Sequence, residues 1–326
     1  MGYQPIFFSM APDRKLKSRY VGCMLGAAIG DALGKQNEGL QRKDILKNGF
    51  IKDYGRAPAG CAGEKLRAGQ YTDDTEQMIL LADSLIECNG FDASDFAKRI
   101  SRWGANALAD PVRKKLVGPS SSAAIVRLNS GISWKDSGSS IPSCGSSMRA
   151  APLGLFYSDL DEVEEKAALS SIPTHNSSAS IAGAVAVAVG VRCALDGMES
   201  TEIIRESSAR ASKYDEGLGK KIVYSIEMRD EEPDKVFAEL GTSYLVNETV
   251  PSAFYCFSRY FDEPEKAIIE AVNAGGDTDS IACITGALSG ARHGIDAFPK
   301  RWIKGLENRD RVESIAGMIF EKSFSG

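Results

Sequence analysis

The sequence predicts an all-α protein folded as one compact domain. Three observations carry that expectation. Stretches with apolar residues at i, i+3, i+4 and i+7 follow one another along most of the 326 residues, whereas strand-like alternation is rare. No internal period suggests repeats, and no low-complexity linker divides the chain. Two acidic stretches roughly two hundred residues apart have matching chemistry, and a shared site requires both in one unit. Residues 1–15 read as an N-terminal tail and 16–326 as the domain.

Taken in order, Ser18 to Leu33 reads as a buried helix, with Gly22, Gly26, Gly30 and Gly34 on one ridge. Each glycine costs a helix about 1 kcal/mol relative to alanine, so four of them imply another backbone lying close by. A membrane-dimer face is opposed by Asp31 and by the shortness of the apolar run. Asp31 itself reads as structural or as a support behind a ligand, not as a ligand. Lys35 to Gln70 is rich in glycine and charge with little periodicity; a stretch this long and irregular is functional or mobile. It carries Glu38 and leads into Tyr71-Thr-Asp-Asp-Thr75. That stretch opens a helix whose apolar stripe is Met78, Leu81, Ala82, Leu85 and Ile86. Asp73 with Glu76, or Asp74 with Gln77, has capping-box spacing.

Phe96 to Leu108 reads as a helix. Gly118-Pro-Ser-Ser-Ser122 precedes a further helical run, Ala123 to Leu128; such a start can bind phosphate through backbone N–H groups, although an N-cap is the simpler reading. Trp134 to Cys144 is a serine- and glycine-rich loop, and order resumes over Gly145 to Pro152. Thr174-His175 stands before Asn176 to Gly190, a small-residue helix buried nearly all round. A lone histidine there, like His293 beside Arg292, reads first as structural. Thr201 to Arg229 forms a helical pair, Val236 to Phe261 follows, and Glu265 to Val272 delivers Asn273-Ala-Gly-Gly-Asp-Thr-Asp-Ser280. The helix Ile281 to Ala291 comes next, and Trp302 to Phe320 closes the chain helically.

Composition excludes several classes. A net charge of −5 gives no electrostatic case for nucleic acid. Seven cysteines, odd in number and never spaced Cys-x-x-Cys, fit free thiols in a reducing compartment. Two histidines cannot furnish a multi-histidine metal site. Met1 to Pro12 lacks a signal-peptide pattern, and the apolar run Ile181 to Val191 is too short to span a bilayer. The expectation is a cytoplasmic, monomeric protein without a membrane partner.

The chemistry lies in the two acidic stretches. A helix cap needs one acid, and each stretch supplies two, with hydroxyls alongside. Neighbouring carboxylates repel, and a divalent cation relieves that repulsion. Oxygen-only donors favour a hard ion such as Mg²⁺, Mn²⁺ or Ca²⁺ over zinc. An isoprenoid-synthase site needs acids at i, i+1 and i+4; the run Asp73-Asp-Thr-Glu-Gln77 lacks the last.

Gly30-Asp-Ala-Leu-Gly34, Thr72-Asp-Asp-Thr75, Met148-Arg-Ala-Ala-Pro-Leu-Gly154, Thr174-His175 and Val272-Asn-Ala-Gly-Gly-Asp-Thr-Asp-Ser-Ile281 occur in that order. Together, from about Arg19 to Trp302, they resemble the ADP-ribosylglycohydrolase family. The resemblance implies an orthogonal helical bundle with a site for two metal ions, usually Mg²⁺ with Mn²⁺ as alternative. It implies ligands at Thr72, Asp73, Asp74, Asp277, Asp279 and Ser280, the last a threonine in many members. Glu38 falls where members carry a glutamate on a mobile loop near the scissile bond, so Glu38 and Asp74 are the candidate catalytic carboxylates. Gly118, Ser120, Ser143, Cys144, Gly145, Ser146, Ser147 and His175 match positions that hold ADP-ribose. Cys144 departs from the asparagine many members have there. The implied substrate is an ADP-ribosylated protein or small ADP-ribosyl compound, with nucleic acid only as a modified end. A non-catalytic member, one that binds ADP-ribose or serves only as a structural, crystallin-like protein, is the alternative.

Overall fold

In the computed structural model, residues 14–324 are described, and among them are sixteen α-helices, three short 3-10 turns and no strand. The helices are α1 (Arg14–Gly34), α2 (Arg42–Asn48), α3 (Asp73–Cys88), α4 (Ala93–Ala109), α5 (Pro119–Asn129), α6 (Ala151–Phe156), α7 (Leu160–Ser171) and α8 (Ser178–Leu195). They continue as α9 (Ser200–Ala211), α10 (Glu216–Glu227), α11 (Pro233–Leu240), α12 (Val246–Arg259), α13 (Pro264–Val272), α14 (Thr278–His293), α15 (Lys300–Gly305) and α16 (Arg309–Ser323). The all-α expectation is met. The tail expected over 1–15 lies mostly outside the described residues, and its last two positions belong to α1.

Local chemistry starts these helices. Asp92, Asp159, Ser177 and Asp215 accept backbone N–H bonds as N-caps of α4, α7, α8 and α10, and α9 has a full capping box between Glu199 and Glu202. Proline occupies the first turn of α5, α6, α11 and α13, where its missing N–H is harmless.

Helices α1 and α14 form the spine. A Cβ on Gly26 would lie 2.3 Å from the Gly286 carbonyl oxygen, and one on Gly286 would lie 2.0 Å from that of Gly26. A Cβ on Gly30 would likewise lie 2.0 Å from the Ala282 carbonyl oxygen, and one on Gly22 2.7 Å from that of Gly290. The ridge read in the sequence therefore meets a second ridge, Ala282, Gly286 and Gly290, and the two backbones touch along their length. This contact sets the ends of α1 and α14 side by side, and the site is built there: Gly34 packs on Thr278, whose hydroxyl donates to the Gly34 carbonyl at 2.7 Å.

Around the spine, α8 packs against α6, α7, α9 and α14, and the buried apolar cluster runs from Tyr20 on α1 to Phe320 on α16. The run Ile181 to Val191 belongs to an 18-residue helix, long and apolar enough to cross a membrane; 78% of that span is buried inside the protein, as befits a core helix. Helices α2 and α7 form where the sequence reading had none, and the closing helix divides into α15 and α16.

Candidate active site

The two acidic stretches meet. The Ser280 hydroxyl donates to Asp74 Oδ2 at 2.9 Å, so the first turn of α14 touches the first turn of α3. Thr72, Asp73, Asp74, Asp279 and Ser280 are all buried, and Asp277 is partly so.

Each entrance is held differently. Thr72 is the N-cap of α3, and its hydroxyl accepts from the Asp74 N–H at 3.3 Å. The capping boxes on Asp73 and Asp74 do not form; Asp73 instead accepts from Gln77 Nε2 at 2.9 Å. Beneath them the fully buried Asp31 carboxylate accepts the Thr72 N–H, the Thr75 N–H and the Thr75 hydroxyl at 2.6–3.1 Å. At α14 Asp277 stands at the N-cap position without capping the helix. Its side chain makes no cap bond and instead accepts from Thr249 Oγ1 at 3.2 Å and Cys144 Sγ at 3.0 Å. Gly275 and Gly276 take positive φ before it, where a side chain would strain the backbone.

Glu38 arrives on the loop after α1. That loop is pinned to the glycine turn by Gly39 N–H to Gly276 O (2.8 Å) and Gly276 N–H to Leu40 O (2.9 Å). Asn273 fastens it from the far side, bonding Asn37, Ile51 and Ile269. Carboxylate oxygens of Glu38, Asp277 and Asp279 lie within 4.8 Å of one another. The sequence reading missed the cation among them: Lys35, 3% exposed, donates to Glu38 and, at 3.3 Å, to Asp279 Oδ2.

The carboxylates are electrostatically loaded. Burial, then Asp279, Asp31, Asp73 and Asp277, pushes Asp74 well above the usual carboxylate range. Asp73 is also raised by burial, with Lys35 opposing, and Asp277 by burial and by Asp279. Mutually repelling, oxygen-only donors at two helix N-termini fit a hard divalent cation.

A cleft of about 250 Å³ opens above this cluster. Gly118, Ser120, Ser143, Cys144, Gly145 and His175 line it. Ser143 Oγ donates to Ser120 Oγ at 2.8 Å, which joins the two serine segments. Ser146 and Ser147 are buried behind the cleft wall; Ser146 Oγ donates to the Ser180 carbonyl, and the Ser147 hydroxyl has no partner among the described residues. Gly145 leaves room for the His175 ring, 2.7 Å from where a Cβ would stand.

Arg149 is the other residue that sequence reasoning passed over. Fully buried and stacked on Phe96, it donates to Gln77 Oε1, the Ser170 carbonyl and Thr174 Oγ1. Since Gln77 holds Asp73 and Thr174 holds His175 Nδ1 at 2.7 Å, one guanidinium braces both sides of the cleft. The only signal was its place beside Met148 in a conspicuous motif. Burial and the Arg149 charge keep His175 well below the usual histidine range, so the ring is neutral.

The family model described as ADP-ribosylglycohydrolase matches residues 12–325. An uncharacterized protein of Archaeoglobus fulgidus is 40% identical over 308 residues, covering 94% of this chain and 97% of that one. Human ADP-ribosylhydrolase ARH3 is 29% identical over 94% of each chain. ADP-ribosylarginine hydrolase Tri1 of Pseudomonas putida is 27% identical, over 97% of this chain and 81% of that one. Among solved structures, an ADP-ribosylglycohydrolase-related protein complex superposes with a TM-score of 0.79 at 27% identity, covering 95% of this chain and 99% of that one.

Proposed function

The chain belongs to the ADP-ribosylglycohydrolase family, and we propose that it hydrolyses the bond between C1″ of an ADP-ribosyl group and its acceptor with the help of Mg²⁺ or Mn²⁺. The observation that carries this reading is the Ser280–Asp74 contact, which joins two acid-rich helix entrances at the floor of a polar cleft. Thr72, Asp73, Asp74, Asp277, Asp279 and Ser280 would hold the cation. Bound there, it would polarise water and bind sugar hydroxyls.

The protein's own groups do the rest. Glu38 and Asp74 line the cleft together with Asp73, Asp277 and Asp279, and one of the two would accept a proton from the attacking water or assist the leaving group. Developing oxocarbenium charge at C1″ would be met by the surplus of carboxylates. The Thr174 hydroxyl accepts from Arg149 and lies 2.7 Å from His175 Nδ1; donating its proton there would leave the His175 ring proton on Nε2, beside Gly145. From there it can donate to a substrate oxygen. Gly118 and Ser120, at the start of α5, would face the diphosphate.

The acceptor is tested by offering ADP-ribosylated arginine, serine and nucleic-acid ends to chelator-treated protein, with and without Mg²⁺ or Mn²⁺. Metal-dependent release of ADP-ribose from at least one is expected. Asp73→Asn and Asp277→Asn should each lower turnover about 10²-fold or more with an unchanged helical circular-dichroism spectrum. Wild-type turnover by either variant would falsify the site assignment. ADP-ribose binding without hydrolysis of any linkage would support a non-catalytic member instead.

A further inference from the structure

We propose that Lys35 is a built-in cation that takes the place of one divalent ion, so that this chain holds a single tightly bound metal where its acidic centre has donors for two. The inference rests on the metal-binding reading of that centre. Lys35 follows α1 directly, its N–H continuing the helical pattern to the Asp31 carbonyl at 3.0 Å. A lysine at a helix C-terminus ordinarily reaches into water and interacts with the dipole. This one does not.

Its side chain is 4% exposed, and its ammonium contacts Glu38 and Asp279. The stem runs over Gly63, where a Cβ would stand 2.9 Å from Lys35 Cγ and 3.3 Å from Cε. The glycine thus leaves a channel that the lysine stem fills, which a surface ion pair would not need. Glu38 and Asp279 are two of the three carboxylates whose oxygens converge within 4.8 Å, so the ammonium sits in that corner. Asp73 and Asp74 feel the same ammonium at longer range, but among the described residues neither forms an ion pair with it. One ammonium supplies one charge against several buried carboxylates and leaves the centre strongly negative. A divalent ion at Asp73 and Asp74 is therefore still favoured, while a second in the Glu38–Asp279 corner must first displace Lys35.

The test is Mn²⁺ titration of chelator-stripped wild type, Lys35→Met and Lys35→Arg, read by calorimetry and by the electron-spin resonance of free Mn²⁺. Wild type and Lys35→Arg should bind one ion per chain tightly. Lys35→Met should bind two, with the second site at least about tenfold tighter than any second site in wild type. Metal-free Lys35→Met should melt about 4 °C or more below metal-free wild type, a gap that saturating Mn²⁺ closes. Two equivalent tight sites in wild type would overturn the inference alone, and that measurement needs no variant to fold. Binding of no Mn²⁺ by any of the three would overturn this inference together with the metal-dependent reading.

Discussion

The two helix entrances reach the same chemistry by different construction. At α3 side chains do the holding: Asp31 receives three donors from Thr72 and Thr75, and Thr72 caps the helix. At α14 the backbone does it. Asp277 N–H donates to the Thr242 carbonyl at 2.7 Å, the Gly276 N–H and carbonyl bond to the Glu38 loop, and the two glycines turn the chain. At neither entrance do Asp73, Asp74 or Asp277 cap the helix; each accepts at one oxygen instead, from Gln77, from Ser280, and from Thr249 with Cys144, respectively. The difference means that the α3 entrance is sensitive to a change of hydrogen-bonding pattern, whereas the α14 entrance is sensitive to any added atom.

Gly276→Ala gives the sharpest break. Its φ is 69°, and the new Cβ would stand 2.1 Å from the Thr242 carbonyl oxygen. Left-handed strain of about 1–2 kcal/mol adds to about 1–3 kcal/mol for forced backbone movement. A loss near 3 kcal/mol in urea denaturation, with weakened Mn²⁺ binding, is expected; a loss under about 1 kcal/mol would mean that the turn is not backbone-locked. Asp31→Asn probes the other entrance. The amide keeps one acceptor but turns an NH₂ towards N–H or hydroxyl donors, at a cost of about 2 kcal/mol. Because Asp31 positions Thr72 and the start of α3 without being an assigned ligand, metal affinity should also fall about 10–100-fold. Unchanged affinity would show that the α3 entrance does not depend on its buried carboxylate.

The contrast also explains what could be read in advance. Doubled acids at a helix start marked both entrances, and a glycine every fourth residue marked the α1 face, because those patterns are local. That Asp277 leaves its helix uncapped was not legible, because Thr249 and Cys144, distant in sequence, claim its oxygen. Lys35 and Arg149 were invisible for the same reason. A lysine after a helix and an arginine inside a motif look solvent-bound until the fold closes acids and a phenylalanine around them. Helix α7 was legible in principle, since Asp159 precedes it as an N-cap, but its stripe is weak beside those of its neighbours.

Acidity at the shared centre gives a medium-sized effect. Asp277 is raised to about 7 and Asp73 to about 8, above their unfolded values. A carboxylate raised in this way keeps in the folded state a proton that the unfolded chain has released, so its contribution to stability is lost as pH rises through the folded value. The metal-free protein should therefore melt lower at pH 8 than at pH 6, by an amount corresponding to about 1 kcal/mol or more. Saturating Mn²⁺ should flatten or reverse the slope, since the ion replaces the protons. A metal-free melting temperature that rises from pH 6 to pH 8 would contradict a centre of uncompensated acids.

The smallest effect tests the one side-chain hydrogen bond found between the two entrances. Ser280→Ala removes the donor to Asp74 and leaves that carboxylate oxygen without its partner, which should cost about 1–2 kcal/mol. Ser280→Thr keeps the hydroxyl, and stability should stay within about 0.5 kcal/mol of wild type. If the two variants are equally destabilised, the added methyl matters more than the hydroxyl, and Met148, whose Sδ lies 3.9 Å from Ser280 Oγ, is the neighbour it would strike. If neither is destabilised, the entrances are held in register by the α1–α14 backbone contact alone. The Ser280 hydroxyl would then be available to a cation rather than needed by the fold.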